Sequence, residues 1–354
     1  MENMKNNFFK DLLHLHRPTF NVVKLLGTIA CMAIILFIGY FSHNMSIASF
    51  GFLGIFILMY YENIPLKNLI LRFIAVALFI LTSFLIGFLT TFASWTAPIA
   101  VGLIAFLGRI FFRLYDIKKP GVFFAVLVSA MGASMRIPIK QVPVLGSYYL
   151  LGAFIAILMA IIVHFTEKEP PTIVEEKSFF QRVHEDPSVF IDGIFYGATL
   201  FLAVYLSSGL QLQNPYWMVV SCAAILQGDN LRAIMQRNVQ RILGTVIGIG
   251  IAALLLNAPL TTLETIFLII ALFTISQISV RSNYALSAFF TTPMALLLSS
   301  LTKDQNVPSL LQYRFIGIAL GALLGALSAW LITTGLKFYN KSFDLHESFD
   351  KEPD

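Results

Sequence analysis

Twelve apolar runs follow one another along this chain, with only short polar joints between them. They lie at 22–42, 46–62, 69–92, 97–116, 121–135, 144–165, 190–209, 214–227, 239–256, 262–280, 284–300 and 309–336. About 20 apolar residues in a helix match the ~30 Å hydrocarbon core of a bilayer. No water reaches the backbone there, so runs of this length fold as helices that satisfy their own polar groups. The chain is 57% hydrophobic and only 12% charged, whereas soluble domains carry about a quarter charged residues. The expectation is an all-α, polytopic membrane protein of about 12 transmembrane helices. The fifth and eighth runs are short for a bilayer, as tilted or half-spanning helices would be.

Lysine and arginine set the orientation. With the N-terminus inside, every Lys and Arg except Arg136, Lys140, Lys303 and Arg314 falls in an inside segment. Both termini are therefore expected in the cytoplasm, in the cell membrane. The net charge of +5 speaks to topology, and no nucleic acid is expected as a partner. The opening MENMKNNFFKDLLHLHRP has neither the apolar core nor the cleavage site of a signal peptide. Cys31 and Cys222 sit inside apolar runs and read as small packing residues. No His/Cys/Asp/Glu group has metal-ligand spacing. Neither a phosphate-binding glycine loop nor a Ser/His/Asp set occurs. The chain reads as no enzyme, with no cofactor and no metal.

The two halves match at a nearly constant offset. QVPVLGSYYLLGAFIA, from Gln141, aligns with NVPSLLQYRFIGIALG, from Asn306. Phe8-Phe9 with Pro18 and Phe20 answers Phe179-Phe180 with Pro187 and Phe190, and Glu62-Asn63 answers Asp229-Asn230. Six spans is an even number, so the halves insert in the same orientation. The domains expected are a first six-helix repeat over 1–165 and a linker over 166–189. A second repeat over 190–337 and a polar, frayed tail over 338–354 complete the chain. Phe8-Phe9-Leu12-Leu13 and Phe179-Phe180-Val183 suit short amphipathic helices on the membrane surface. A plain linker whose phenylalanines touch the bundle is the other reading.

QRNVQRILGTVIG, residues 236 to 248, puts charge and glycine on one face. At about 100° per residue, Arg241, Gly244 and Gly248 all fall within about 40° of Arg237. The last span repeats the phrase: Arg314, Gly317, Gly321 and Gly325 share a stripe. The first half keeps a weaker form, in Arg72 before Ala75 and in the ladder Gly152, Ala156, Ala160. Small residues every fourth position let helices approach closely, and packing is the plainer reading of these glycines. Arginine on the same face points into the bundle, where a charge needs water, a counter-charge or an anion. Snorkelling or a topology signal is the bland alternative for Arg237 and Arg241. With Arg241 at the inner end of its span and Arg314 at the outer end of the other, an anion route could have a positive group at each mouth.

Tyr216-Trp217 opens the eighth run, as an aromatic belt or as a stacking surface for an aromatic ligand. Asp229 and Glu62 are the acids eligible to carry a proton; ion pairing is their simpler role. Arg281 marks the start of the eleventh run, and Pro293 within it either frees carbonyls or merely kinks the helix.

PYWMVVSCAAILQGDNLRAIMQRNVQRILGTVIG, 215 to 248, resembles the fusaric acid resistance family and the related aromatic acid exporters. The pattern is carried by Pro215, Tyr216 and Trp217, then Arg241, Gly244, Thr245 and Gly248. The regions around Arg281, Tyr284 and Arg314 are similar to that family too. The first half is a diverged copy that lacks Pro-Tyr-Trp and most of the glycines. The resemblance implies a six-helix unit used in pairs and export of small organic acids, often aromatic, driven by the proton motive force. Plant aluminium-activated malate transporters, anion channels with the same unit, are distantly similar. Unlike the larger bacterial exporters, the sequence is expected to lack a sizeable cytoplasmic domain.

The leading expectation is thus an exporter of small organic anions. Arg241, Arg314, Arg281 and Arg72 would meet the carboxylate, and Tyr216 and Trp217 its apolar body. A passive anion channel and a non-transporting protein that organises lipids or envelope partners are the alternatives. Assembly into a homo-oligomer stays open.

Overall fold

The computed structural model describes residues 21–349, apart from Lys119, 173–176, Asp229 and 303–305; the side chains of Arg281 and of 336–349 also fall outside the description. The surface segment expected around Phe8 and Phe9 lies outside the described residues, as does Asp229. Among the described residues there is no strand.

Length sorts the apolar runs into two classes. Eight helices are long and apolar enough to cross a membrane: α1 (Val22–Phe41), α3 (Leu66–Leu89), α4 (Ala97–Leu114), α6 (Val142–Thr166), α8 (Val189–Gly209), α10 (Leu231–Leu256), α11 (Thr262–Ser282) and α13 (Val307–Phe349). Four are shorter: α2 (Met45–Ile55, prolonged by a 3-10 turn to Tyr60), α5 (Phe123–Ser134), α9 (Tyr216–Ile225) and α12 (Tyr284–Ser300). The 10 residues of α9 reach about 15 Å, half of a hydrocarbon core. Shortness therefore extends to the second and eleventh runs as well as to the fifth and eighth. The remaining helix, α7 (Phe179–Glu185), lies in the segment between the halves.

Side chains at the helix starts explain the boundaries. Asn21, Asn44, Asn230 and Asn283 each accept a hydrogen bond from the first turn of α1, α2, α10 and α12. Thr261 and Glu264 form a capping box on α11, and Ser178 and Gln181 one on α7. Pro98 and Pro143 sit in the first turns of α4 and α6, where a missing N–H costs nothing. The cap at Asn230 starts α10 eight residues before the apolar run at 239, a shift with consequences below. At the other end α13 runs on as helix to Phe349, where the sequence pointed to a frayed tail after Lys337.

Glycines hold the helices in pairs. A Cβ on Gly152 would meet the Gly51 carbonyl, and one on Gly54 the Tyr149 carbonyl, so α2 and α6 touch backbone to backbone. The same contact joins α9 to α13, where Gly321 lies against the Met218 carbonyl, Gly317 against Trp217 and Gly325 against Ile225. Gly244 lies against the Ala285 carbonyl and Gly248 against that of Phe289, pairing α10 with α12. Pro293 leaves α12 unbroken, but a proline cannot donate to the carbonyl four residues back. That carbonyl belongs to Phe289, and Gly248 covers it.

Besides the packing of α9 on α5, which puts Val219, Cys222 and Ala223 into the core of the first half, the halves meet along two seams. On one, Gly102 of α4 packs against Gly197 and Phe201 of α8, while Arg109 pairs with Asp192 at 2.8 Å and Arg113 with Asp186 at 2.7 Å. These pairs are about a third exposed and contribute little, ~1 kcal/mol or less each. On the other, Phe37 of α1 meets Phe267 of α11 edge to face at 5.8 Å, and Phe52 of α2 meets Phe273 of α11 at 5.6 Å. Helix α7 docks beside the first seam: Val183 packs with Ile110, Leu114 and Val189, and Arg182 donates to the Leu114 carbonyl. Phe179 and Phe180 remain exposed.

Candidate functional site

All four short helices line one central cavity of about 740 Å³, together with α1, α10, α11 and α13. The other long helices contribute no lining residue. Among the described lining residues the charged ones are Lys24, Arg237, Arg241 and Arg314, with no Asp, Glu or His. Aromatic rings form much of the wall, among them Phe50, Phe123, Phe124, Tyr216, Trp217 and Tyr284. On the α11–α12 side runs a cluster of hydroxyls, with Ser276 Oγ 3.1 Å from Ser287 Oγ and 2.6 Å from Thr291 Oγ1.

The guanidiniums converge. Because α10 begins at Leu231, Arg241 stands ten residues inside its helix, ~15 Å from the end. Arg314 stands seven residues inside α13, ~10 Å from the opposite end. The expectation of one arginine at each mouth is corrected on that geometry. A serine of α9 joins the two strands of the site: Arg241 Nε donates to Ser221 Oγ at 3.4 Å, and Ser221 Oγ donates to the Ile318 carbonyl of α13 at 2.7 Å. Arg241 also donates to the Tyr284 hydroxyl at 2.9 Å, and Arg237 lies over the Tyr284 ring at 5.3 Å.

Arg314 is the outlier. It is 3% exposed, and its guanidinium lies on the Trp217 ring, 3.3 Å from the centroid. Its Nε and Nη1 have no hydrogen-bond partner. A desolvated cation–π contact contributes about 2 kcal/mol, and removing the partner of a buried charge costs about 3–5 kcal/mol. By this comparison the ring alone does not offset the burial of the guanidinium. Another buried donor facing the same cavity is unpartnered, Trp217 Nε1, as is the Ser49 hydroxyl of the first half. Tyr216 and Trp217, 4.5 Å apart as rings, thus face the cavity and not a lipid headgroup layer.

Arg72 and Glu62 stand apart from this group. They pair with each other, Lys118 lies 3.3 Å from the second Glu62 oxygen, and none of the three lines the cavity. The Arg72 phrase looks like that of Arg241, but its charge is met by an acid ten residues upstream. Glu62→Gln is expected to lower thermal stability by about 1–3 kcal/mol, the range for a partly buried pair, and to leave ligand affinity at the cavity unchanged. Differential scanning fluorimetry beside a binding titration checks both. The Arg281 side chain and Asp229 lie outside the described residues. Sequence reasoning missed Ser221, Ser49, Ser276 and Ser287, whereas Gln227, near the level of Arg237 and Arg241, and Thr291, just after Tyr284, were legible as polar residues of their runs. Serine and threonine in apolar helices usually bond their own backbone, so no local signal separates these from the rest.

Membrane-length helices packed around short ones that enclose a cation-lined cavity define a multi-pass integral membrane protein. Residues 200–328 match the family described as fusaric acid resistance protein-like, and that stretch holds Tyr216, Trp217, Arg237, Arg241, Tyr284 and Arg314. Over 166 residues, 46% of this chain, the sequence is 29% identical to a protein of Bacillus subtilis (strain 168) described as "Uncharacterized membrane protein YvaC". The match spans 26% of that protein's length. No solved structure matches.

Proposed function

We propose that the protein exports small organic carboxylic acids, aromatic ones among them, across the cytoplasmic membrane, drawing on the proton motive force. Arg314 carries this reading: a buried guanidinium with two unused donors, in a cavity walled by aromatic rings. A carboxylate fits such a fork in bidentate fashion. Arg241 and Arg237 add positive charge, and Trp217 and Tyr216 give a ring system a surface to lie on. The family likeness over 200–328 supports organic acids as cargo. The topology proposed is twelve spans in two same-orientation repeats, 1–165 and 190–337, with both termini cytoplasmic. The matching glycine-held pairs α2–α6 and α9–α13 support it.

One observation favours the passive channel instead. The cavity wall includes Asn21 and Lys24, at the start of α1, and also Asn214 and Thr302, beside the far ends of α8 and α12. A lining that touches both ends of the bundle suits a continuous pore.

Reconstitution into liposomes tests the proposal. Flux of p-hydroxybenzoate above the protein-free rate is expected, with malate as the non-aromatic comparison. Arg241→Ala, at equal reconstitution, is expected to reduce that flux about tenfold or more, the value of a charge-assisted hydrogen bond. Folded protein that moves neither anion would remove the export reading and favour a lipid- or partner-organising role.

A further inference from the structure

We infer that the cargo crosses as its anion and that the membrane potential, not the pH gradient, is the component that drives it; this rests on the organic-acid reading above. The titratable groups facing the cavity are Lys24 from α1, Tyr216 from α9, Arg237 and Arg241 from α10, Tyr284 from α12 and Arg314 from α13. No titratable residue among the described ones faces it from α2, α5 or α11. A carboxylic acid placed among guanidiniums gives up its proton, because nearby positive charge favours the carboxylate. The bound cargo is therefore charged.

A proton-coupled step needs a group that takes up and releases a proton beside the cargo. The described wall offers cations, phenols, hydroxyls and amides, none of which titrates near neutral pH by its ordinary pKa. Glu62, the acid of α3's approach, is held by Arg72 and Lys118 away from the wall. The hydroxyls of Ser276, Ser287 and Thr291 extend the polar surface beyond the arginines without adding a proton carrier. Each cargo molecule then carries its own negative charge across the membrane. In a cell whose interior is negative, export of that charge runs downhill. At equilibrium a monoanion is distributed tenfold for every ~59 mV, and a dianion about a hundredfold for the same potential.

The experiment uses the full chain in liposomes loaded with labelled p-hydroxybenzoate at equal pH on both sides. A potassium gradient with valinomycin sets the potential. Flux is expected to follow the sign and size of the potential. The final ratio should rise about tenfold per 59 mV, beyond that of protein-free liposomes. A pH gradient at zero potential should add nothing to the protein-free rate. Asp229→Asn is expected to keep the full voltage response. Flux that follows the pH gradient and ignores the potential overturns the inference while leaving the export reading intact. So does voltage-insensitive exchange that needs a second anion on the far side, or loss of the voltage response in Asp229→Asn. Folded protein that gives no flux in any arm overturns the export reading itself, and the inference with it.

Discussion

Arg314→Met should lose the ligand and gain stability. The Arg314 guanidinium is buried with two donors unpaired, so replacing it by an apolar side chain of similar length removes a poorly compensated charge. Exchanges of buried ionic groups for apolar ones stabilise by about 1–4 kcal/mol where they pack well. Ligand binding should fall at least about 30-fold, because truncating one partner of a buried charge pair costs about 2–5 kcal/mol. Arg314→Lys separates fork from charge: it keeps the charge but loses the planar donors and the stacking on Trp217, and should bind weakly without the gain in stability. Thermal melts in detergent with and without p-hydroxybenzoate read both quantities. A variant that melts lower and still binds as well as the parent would make Arg314 a structural residue.

The second large effect concerns alanine at two kinds of glycine, with opposite signs. On a helix, Gly→Ala stabilises by about 1 kcal/mol through backbone propensity alone. Gly250 faces open space, with nothing within 4 Å of where its Cβ would stand, so Gly250→Ala should raise the melting temperature. At Gly321 the new Cβ would strike the Met218 carbonyl, and at Gly152 the Gly51 carbonyl. Backbone cannot turn aside as a side chain can, so the helices must part and their interface loosens. Overpacking of this kind costs about 1–3 kcal/mol or more, which outweighs the propensity gain. Gly321→Ala and Gly152→Ala should both melt lower, and Gly321→Ala should also disturb the site, since its neighbour Ser221 ties Arg241 to α13. Equal melting temperatures for Gly250→Ala and Gly321→Ala would contradict the close approach of α9 and α13.

The helices themselves were legible because apolar runs report burial directly. Gly152, Gly244, Gly248, Gly317, Gly321 and Gly325 all sit at helix contacts, as their four-residue spacing indicated. The start of α10 was not legible from hydropathy. LRAIMQRN is polar, and only Asn230, as a cap, marks that it is already helix. Those two turns decide whether Arg241 stands at a mouth or deep inside. The fate of Arg72 was hidden for a different reason: a local phrase shows where a charge points, but its partner comes from a loop. Phe289's carbonyl, left by Pro293 and covered by Gly248, needed two helices to be seen at once.

The four short helices have an effect beyond shaping a binding site. A helix of about 15 Å ends halfway through a hydrocarbon layer, and its terminal N–H and C=O groups must meet water or protein there. Where α9 ends beside the cavity, solvent entering from that end leaves a dry barrier much thinner than the surrounding ~30 Å of lipid. A transmembrane voltage falls across the insulating layer only. The field beside the end of α9 would then be steeper than in the lipid around it.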